Sequence, residues 1–220
     1  MNSTYLQDIF TKHIDKRSIK TIVECGSRDC LDAIELGEYY NPDVIYSFEC
    51  NPESIEVCKE NAKNIENIKI IPKAVCEKSE ILVFFATDME KSLDKNIGAS
   101  SLLIHNDNKI SYFQKEIAVE GTRLDLFMEE NNINKIDLLC MDLQGAEHLA
   151  IEGLGKRIKD VRYIITEVQY QCYYKGSKLV NRIMRTLHAK GFKMVACDSL
   201  EGYINHSGFG NMMFKNLRNG

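Results

Sequence analysis

The chain has 220 residues, 44% of them hydrophobic, and a formal net charge of −4. This length suits one well-buried domain and is awkward for two, and the apolar content excludes gross disorder. The acidic balance argues against a general nucleic-acid-binding surface. No apolar run is long enough to span a membrane, and "MNSTYLQDIF" lacks the basic-then-apolar pattern of a signal peptide.

Leu6, Ile9, Phe10 and Ile14 recur at helical spacing and predict an amphipathic N-terminal helix over residues 1–20. Thr21–Gly26 reads as the first strand, followed by a helix from Leu31 to Tyr40. Val44–Cys50 is a second buried strand. Asn51 then offers a helix cap, and Pro52 suits the first turn. Ile55, Cys58, Ala62 and Ile65 give that helix one apolar face, and Ile68–Val75 reads as the third strand. This β-α-β-α-β order with short connections predicts parallel strands and right-handed crossovers. Ile81–Phe85 is an additional strand, and the polar, weakly periodic stretch Ala86–Lys115 reads as an inserted loop or lid. Thr122 and Asp125 resemble a capping box before a helix through Glu130. Ile136–Asp142 is the fourth core strand, with a turn and helix after it. Val161–Val168, a helix around Leu179–Leu187, Phe192–Cys197 and Met212–Phe214 complete the chain. The expectation is a single domain over residues 1–220, an α/β, doubly wound and mostly parallel sheet. The eight cysteines form no CxxC pair and mostly sit in apolar runs, which points to a reduced, cytoplasmic chain without a zinc ribbon or disulfides.

In such sheets ligands sit outside the carboxyl ends of the strands, and the turn Gly26–Cys30 lies there. A dinucleotide turn wants three glycines, but here Arg28 and Leu31 stand at the second and third positions. A side chain at the second position, beside the acid Asp29, works against a pyrophosphate. An NAD-type oxidoreductase on this fold is therefore the weaker reading. Glu24 and Glu49 end successive strands, where a carboxylate meets a cationic group or a ribose diol. A nucleoside with a cationic, phosphate-free tail is S-adenosylmethionine. Ordinary strand-end acids on a non-catalytic nucleoside-binding domain are the bland alternative. Asp142 ends the fourth strand facing the same crevice, Gly145 permits a tight turn, Glu147 begins a helix, and Glu167 in "ITEVQ" nears the end of the next strand.

"ECGSRDC", "FECNP" and "MDLQGAEHLAIEGL" together resemble the FkbM family of S-adenosylmethionine-dependent methyltransferases, from Thr21 to about Phe214. Asp142, Gly145, Ala146 and Glu147 match the family segment Ile-Asp-Val-Glu-Gly-Ala-Glu, with Gln144 where a glutamate is common and Cys30 where a later glycine is common. "GASSLL" at Gly98–Leu103 is similar to the family's serine-rich loop. The resemblance implies a class I, Rossmann-like methyltransferase sheet with a final antiparallel strand, and O-methylation of sugar, glycan or natural-product hydroxyls. The donor contacts expected are Glu24, Gly26, Ser27 and Arg28 from the first turn, Glu49, Cys50 and Asn51 after the second strand, Ala74, and Asp142.

A sugar hydroxyl is a weak nucleophile, so a base or a metal must assist the in-line displacement. Asp142, Glu147 and Glu167 are the candidate bases, or two of them could hold magnesium or manganese. His148 and His206 read as structural. Tyr170, Tyr173 and Tyr174 could stack on a sugar or simply pack. The expected partner is a small-molecule or glycan acceptor, with no nucleic acid and no membrane span. The oligomeric state is left open.

Overall fold

The computed structural model describes residues 3–106, 113–199, 204 and 208–218. His206 and residues 107–112 of the expected loop lie outside the described residues.

Ten strands and six α-helices form the described chain. The strands are β1 (Thr21–Cys25), β2 (Val44–Phe48), β3 (Ile68–Ile71), β4 (Ala74–Val75), β5 (Ile81–Thr87), β6 (Gln114–Thr122), β7 (Ile136–Met141), β8 (Val161–Gln169), β9 (Phe192–Cys197) and β10 (Phe209–Asn216). The helices are α1 (Asp8–Thr11), α2 (Leu31–Tyr40), α3 (Pro52–Ala62), α4 (Leu124–Glu130), α5 (Glu147–Gly153) and α6 (Val180–Ala189). Seven strands form one sheet in the order β3-β2-β1-β7-β8-β10-β9. Its pairings are parallel except at β10, which runs antiparallel to both β8 and β9. The order reverses direction between β1 and β7, so the carboxyl ends of these two strands open a switch-point crevice.

Strand alternation builds a core on each face of this sheet. Val23, Phe48, Leu139 and Met141 point to one side, against α4, α5 and α6. Ile22, Ile45, Leu138 and Cys140 point to the other, against α2, α3 and the N-terminal segment. Period-2 alternation with both faces covered is what a central parallel strand requires.

Four expectations are corrected. The N-terminal segment is not one helix. A 3-10 turn (Thr4–Leu6), the four-residue α1 and a second 3-10 turn (Lys16–Ser18) replace it. The side chains of Ser3 and Asp15 accept from the amides of Tyr5 and Arg17, a local alternative to helical bonding. The apolar spacing nevertheless marked what packs, since Phe10 and Ile14 are buried. The third strand is cut at Pro72, which has no N–H for the ladder. β3 stays in the main sheet, and β4 joins β6 and β5 in a separate three-stranded sheet. β6 itself was not foreseen, because little of it beyond Val119, Gly121 and Thr122 is buried. The capping box does not form either: Thr122 donates to the Arg123 carbonyl, and Asp125 pairs with the Arg123 guanidinium at 2.5 Å. By contrast, Asn51 caps α3 through the Glu53 amide at 3.1 Å, with Pro52 in the first turn. Among the described residues no helix is long and apolar enough to cross a membrane.

Candidate active site

The turn after β1 is held against both neighbouring strands. The amides of Gly26 and Ser27 both donate to the Phe48 carbonyl at 3.0 Å, and the Asp142 amide donates to the Cys25 carbonyl at 3.0 Å. Gly26 has φ +89°, and a Cβ there would lie 1.9 Å from the Asp142 carbonyl oxygen. No L side chain fits this approach. Arg28 and Cys30 follow at φ 53° and 65°, left-handed conformations that cost non-glycine residues about 1 kcal/mol or more each. The strain is offset by bonds that fix the turn: the Arg28 amide donates to Glu49 at 2.7 Å, and the Cys30 amide to the Ser27 carbonyl at 2.9 Å.

Glu49, just beyond β2, is buried and gathers three backbone amides, from Arg28, Cys50 and Asn51, at 2.7–2.8 Å. Burial raises its pKa and these bonds oppose the rise. A carboxylate offers about four acceptor sites, so one remains for a ligand hydroxyl. Glu24 is placed differently. It is enclosed beneath the turn, accepting from the hydroxyls of Ser27 and Ser47, and it does not line the crevice.

Burial pushes the Glu24 carboxyl up to about 8. Its folded pKa therefore exceeds the unfolded value, and between about pH 4.5 and pH 8 the native state holds more protons than the unfolded chain. Stability must fall as pH rises through that window, by up to ~1.4 kcal/mol per pH unit for one group. Urea unfolding of Glu24→Gln should show a clearly shallower decline between pH 5 and 8 than the parent chain. An unchanged slope would mean that Glu24 is ionised in the folded protein.

Two clefts meet at the turn. The first, of about 580 Å³, runs from Gly26 past Glu49, Cys50 and Asn51 to Ala74, Val75 and Phe84. The second, of about 1100 Å³, is lined by Ser27, Asp32, Asn96, His105, Gln144, Glu167, Gln169, Tyr173, Tyr174 and Phe209. Gly26, Arg28, Gly98 and Asp142 line both. Part of the stretch expected as an inserted loop or lid forms a wall here. Ser101 donates to the carbonyls of Leu143 (3.3 Å) and Gln144 (3.0 Å), and Tyr174 donates to the Ala99 carbonyl at 3.0 Å.

The turn after β7 brings three carboxylates together. Oxygens of Asp142, Glu147 and Glu167 all lie within 4.8 Å of one another. Gln144 (φ 51°) and Gly145 (φ 92°) reverse the chain tightly, and Glu147 reaches back to the amides of Leu143 (2.9 Å) and Gly145 (3.2 Å). Glu147 is thus a brace for the turn, buried and off both clefts. The Gln144 amide donates to Asp142 at 2.7 Å and reaches Glu167 at 3.5 Å. Burial raises all three carboxyls, helped by the charge of Asp32 at Asp142, of Asp142 at Glu147, and of Asp142 and Glu147 at Glu167: Glu147 rises to about 7, and Glu167 well above the usual carboxylate range. The Gln144 bond counters the rise at Asp142 alone. The three carboxyls therefore titrate as a coupled set.

Of the other residues singled out, His148 bonds the Gly145 carbonyl and lines neither cleft, and Tyr170 is a core residue whose hydroxyl reaches the Ser199 carbonyl. Sequence reasoning missed Asp32, Asn96, Gln169 and Phe209. Only Gln169 carried a usable signal, its two-residue spacing from Glu167 on one strand face.

The family described as "Methyltransferase FkbM domain" matches residues 29–194. A relative named 2-O-methyltransferase NoeI, from Sinorhizobium fredii (strain NBRC 101917 / NGR234), is 27% identical over 180 residues, covering 80% of this chain and 73% of its own. Similar solved structures include fibrillarin from Aeropyrum pernix with bound S-adenosyl-L-methionine (TM-score 0.54, 12% identity, 96% of this chain and 70% of that one). The chain is also similar to SMU.1697c, a putative methyltransferase from Streptococcus mutans in complex with SAH (0.51, 10%, 90% and 89%). A third is an rRNA methylase from Streptococcus thermophilus (0.52, 12%, 96% and 93%). At such identities these structures share the fold, the Rossmann-like class I methyltransferase sheet.

Proposed function

Because the chain belongs to the FkbM methyltransferase family, we propose that it moves a methyl group from S-adenosylmethionine to a hydroxyl of a sugar or glycan. The observation that carries this reading is the junction of the two clefts at Gly26 and Asp142. The first cleft has the nucleoside features: Glu49 for the ribose, Cys50, Asn51 and Ala74 beside the base, and the Gly26–Arg28 turn for the cationic tail. Ser27, which faces the second cleft, and Glu24 below it set the turn. The second cleft holds the acceptor.

At the junction an oxygen–carbon bond forms as the carbon–sulfur bond breaks, the sulfonium leaves as a neutral thioether, and the hydroxyl proton passes to a carboxylate. Alignment supplies much of the rate. Asp142 is the base, since it lines both clefts and is the carboxylate that the Gln144 amide orients at 2.7 Å. Glu167 faces the acceptor, and Glu147 holds the turn. Asp142 and Glu167 could also hold magnesium or manganese, but the donor amide of Gln144 would have to leave first. A hard cation there would lower the acceptor hydroxyl's pKa.

A neutral polyhydroxyl acceptor is supported by the lining: Asp32, Asp142 and Glu167 beside Asn96, Gln144 and the ring pair Tyr173–Phe209, whose centroids are 6.4 Å apart. RNA methylases share the fold, so RNA is the competing acceptor class that the methyl-transfer assay must include. The name of the S. fredii relative supports oxygen as the methylated atom. All eight cysteines are free thiols, which fits a cytoplasmic protein.

Calorimetry tests the donor half. S-adenosylhomocysteine should bind and NAD should not. Glu49→Ala should weaken S-adenosylhomocysteine about ten- to a hundred-fold, because it removes a charged acceptor. Unchanged affinity in a folded variant would remove Glu49 from the donor site. Transfer of labelled methyl to sugars tests the acceptor half.

A further inference from the structure

Inside the acceptor cleft one buried polar atom has no partner. Gln169 is 3% exposed and lines the cleft, yet its Oε1 makes no hydrogen bond. Buried amide oxygens are rarely left in this state, because desolvation without a replacement bond is costly. Two donors lining the same cleft are already engaged. The Gln144 amide is committed to Asp142 and Glu167, and the Tyr174 hydroxyl to Ala99 and Gln144. The other end of the Gln169 amide is packed against the β7–α5 turn, where a side chain on Gly145 would come within 3.2 Å of Nε2. Gln169 ends β8 two residues beyond Glu167. The two side chains therefore leave the same face of the strand about 6.6 Å apart at the backbone, a gap that one sugar ring bridges.

We propose that Gln169 is a specificity-determining residue, its Oε1 accepting a hydrogen bond from a second hydroxyl of the sugar ring whose neighbouring hydroxyl is methylated. This rests on the reading of the second cleft as the acceptor site. A site with a buried acceptor discriminates strongly against an analogue lacking the matching donor, because the acceptor is then left unpaired.

The test uses isotope-labelled protein saturated with S-adenosylhomocysteine. It is titrated with methyl pyranosides of gluco, galacto and manno configuration and with their monodeoxy counterparts, while the Gln169 side-chain amide is followed by NMR. At least one pyranoside should shift that signal, and removing the contacted hydroxyl should weaken its binding tenfold or more. Gln169→Leu should lose this preference, binding parent and deoxy sugar alike, with S-adenosylhomocysteine affinity unchanged. In turnover, the acceptor KM should rise about tenfold or more while kcat moves less. The proposal is overturned if no pyranoside moves the Gln169 signal while S-adenosylhomocysteine binds, or if Gln169→Leu keeps the full preference. Should the variant fail to fold, the comparison of parent and deoxy sugars on the unaltered protein decides alone. Failure of S-adenosylhomocysteine itself to bind would strike the donor reading instead.

Discussion

Asp142→Asn is expected to bind S-adenosylhomocysteine within a few-fold of the parent chain and to transfer methyl groups about 10²–10⁴-fold more slowly. Asparagine keeps the shape and can still meet the Gln144 amide. It cannot take a proton, and losing a general base typically costs a factor of that size. Asp142 is the member of the trio that faces both clefts and receives the 2.7 Å bond from Gln144. Single-turnover methyl transfer alongside calorimetry separates the chemical step from donor binding. A chelator then divides the two roles open to this carboxylate: activity indifferent to chelation marks a direct base, and activity lost and restored by magnesium or manganese marks coordination. Near-normal turnover would reduce Asp142 to a turn-former and move the base to Glu167.

Gly26→Ala should be still more damaging to the donor site. The new methyl group would sit 1.9 Å from the backbone oxygen of Asp142, just past β7. Backbone cannot rotate away as a flexible side chain can, so β1 and β7 must part at the switch point. The expected outcome is a loss of about 2–4 kcal/mol of stability, within the range for severe local strain. S-adenosylhomocysteine binding should be undetectable at a hundred times the parent dissociation constant. Gly176→Ala is the matched control, because Gly176 has the same φ of +89° with nothing within 4 Å of the added atom. It should cost only the left-handed strain, about 1–2 kcal/mol. Equal losses in the two variants would show that φ, and not the close approach of β7, makes Gly26 necessary.

Both residues were legible before the fold was known, and the reason is local. Gly26 and Asp142 end buried β-branched or apolar runs, and a turn at that place in a β-α-β unit faces the crevice whatever the rest of the chain does. α2 and α3 were legible for the same kind of reason, since Asn51–Pro52 and the apolar spacing of Ile55, Cys58 and Ala62 act within one helix. What escaped is decided by tertiary contacts. Glu24 looked like a ligand because it ends a strand, but the hydroxyls of Ser27 and Ser47 capture it under the turn. β6 escaped because its burial comes from the second sheet and not from its own pattern. The wall formed by Gly98–Ser101 depends on Ser101 reaching the carbonyls of a turn 42 residues away. Its composition shows only a polar loop.

The resulting picture couples a fixed donor turn to an acidic acceptor cleft through one shared carboxylate. It is tested most directly by incubating the protein with methyl-labelled S-adenosylmethionine and, in parallel, with a mixture of neutral oligosaccharides and with structured RNA. Alkali-stable label, as expected of an ether, should enter the oligosaccharides and should be lost with Asp142→Asn. Label entering RNA, or label in sugars undiminished by Asp142→Asn, would contradict it.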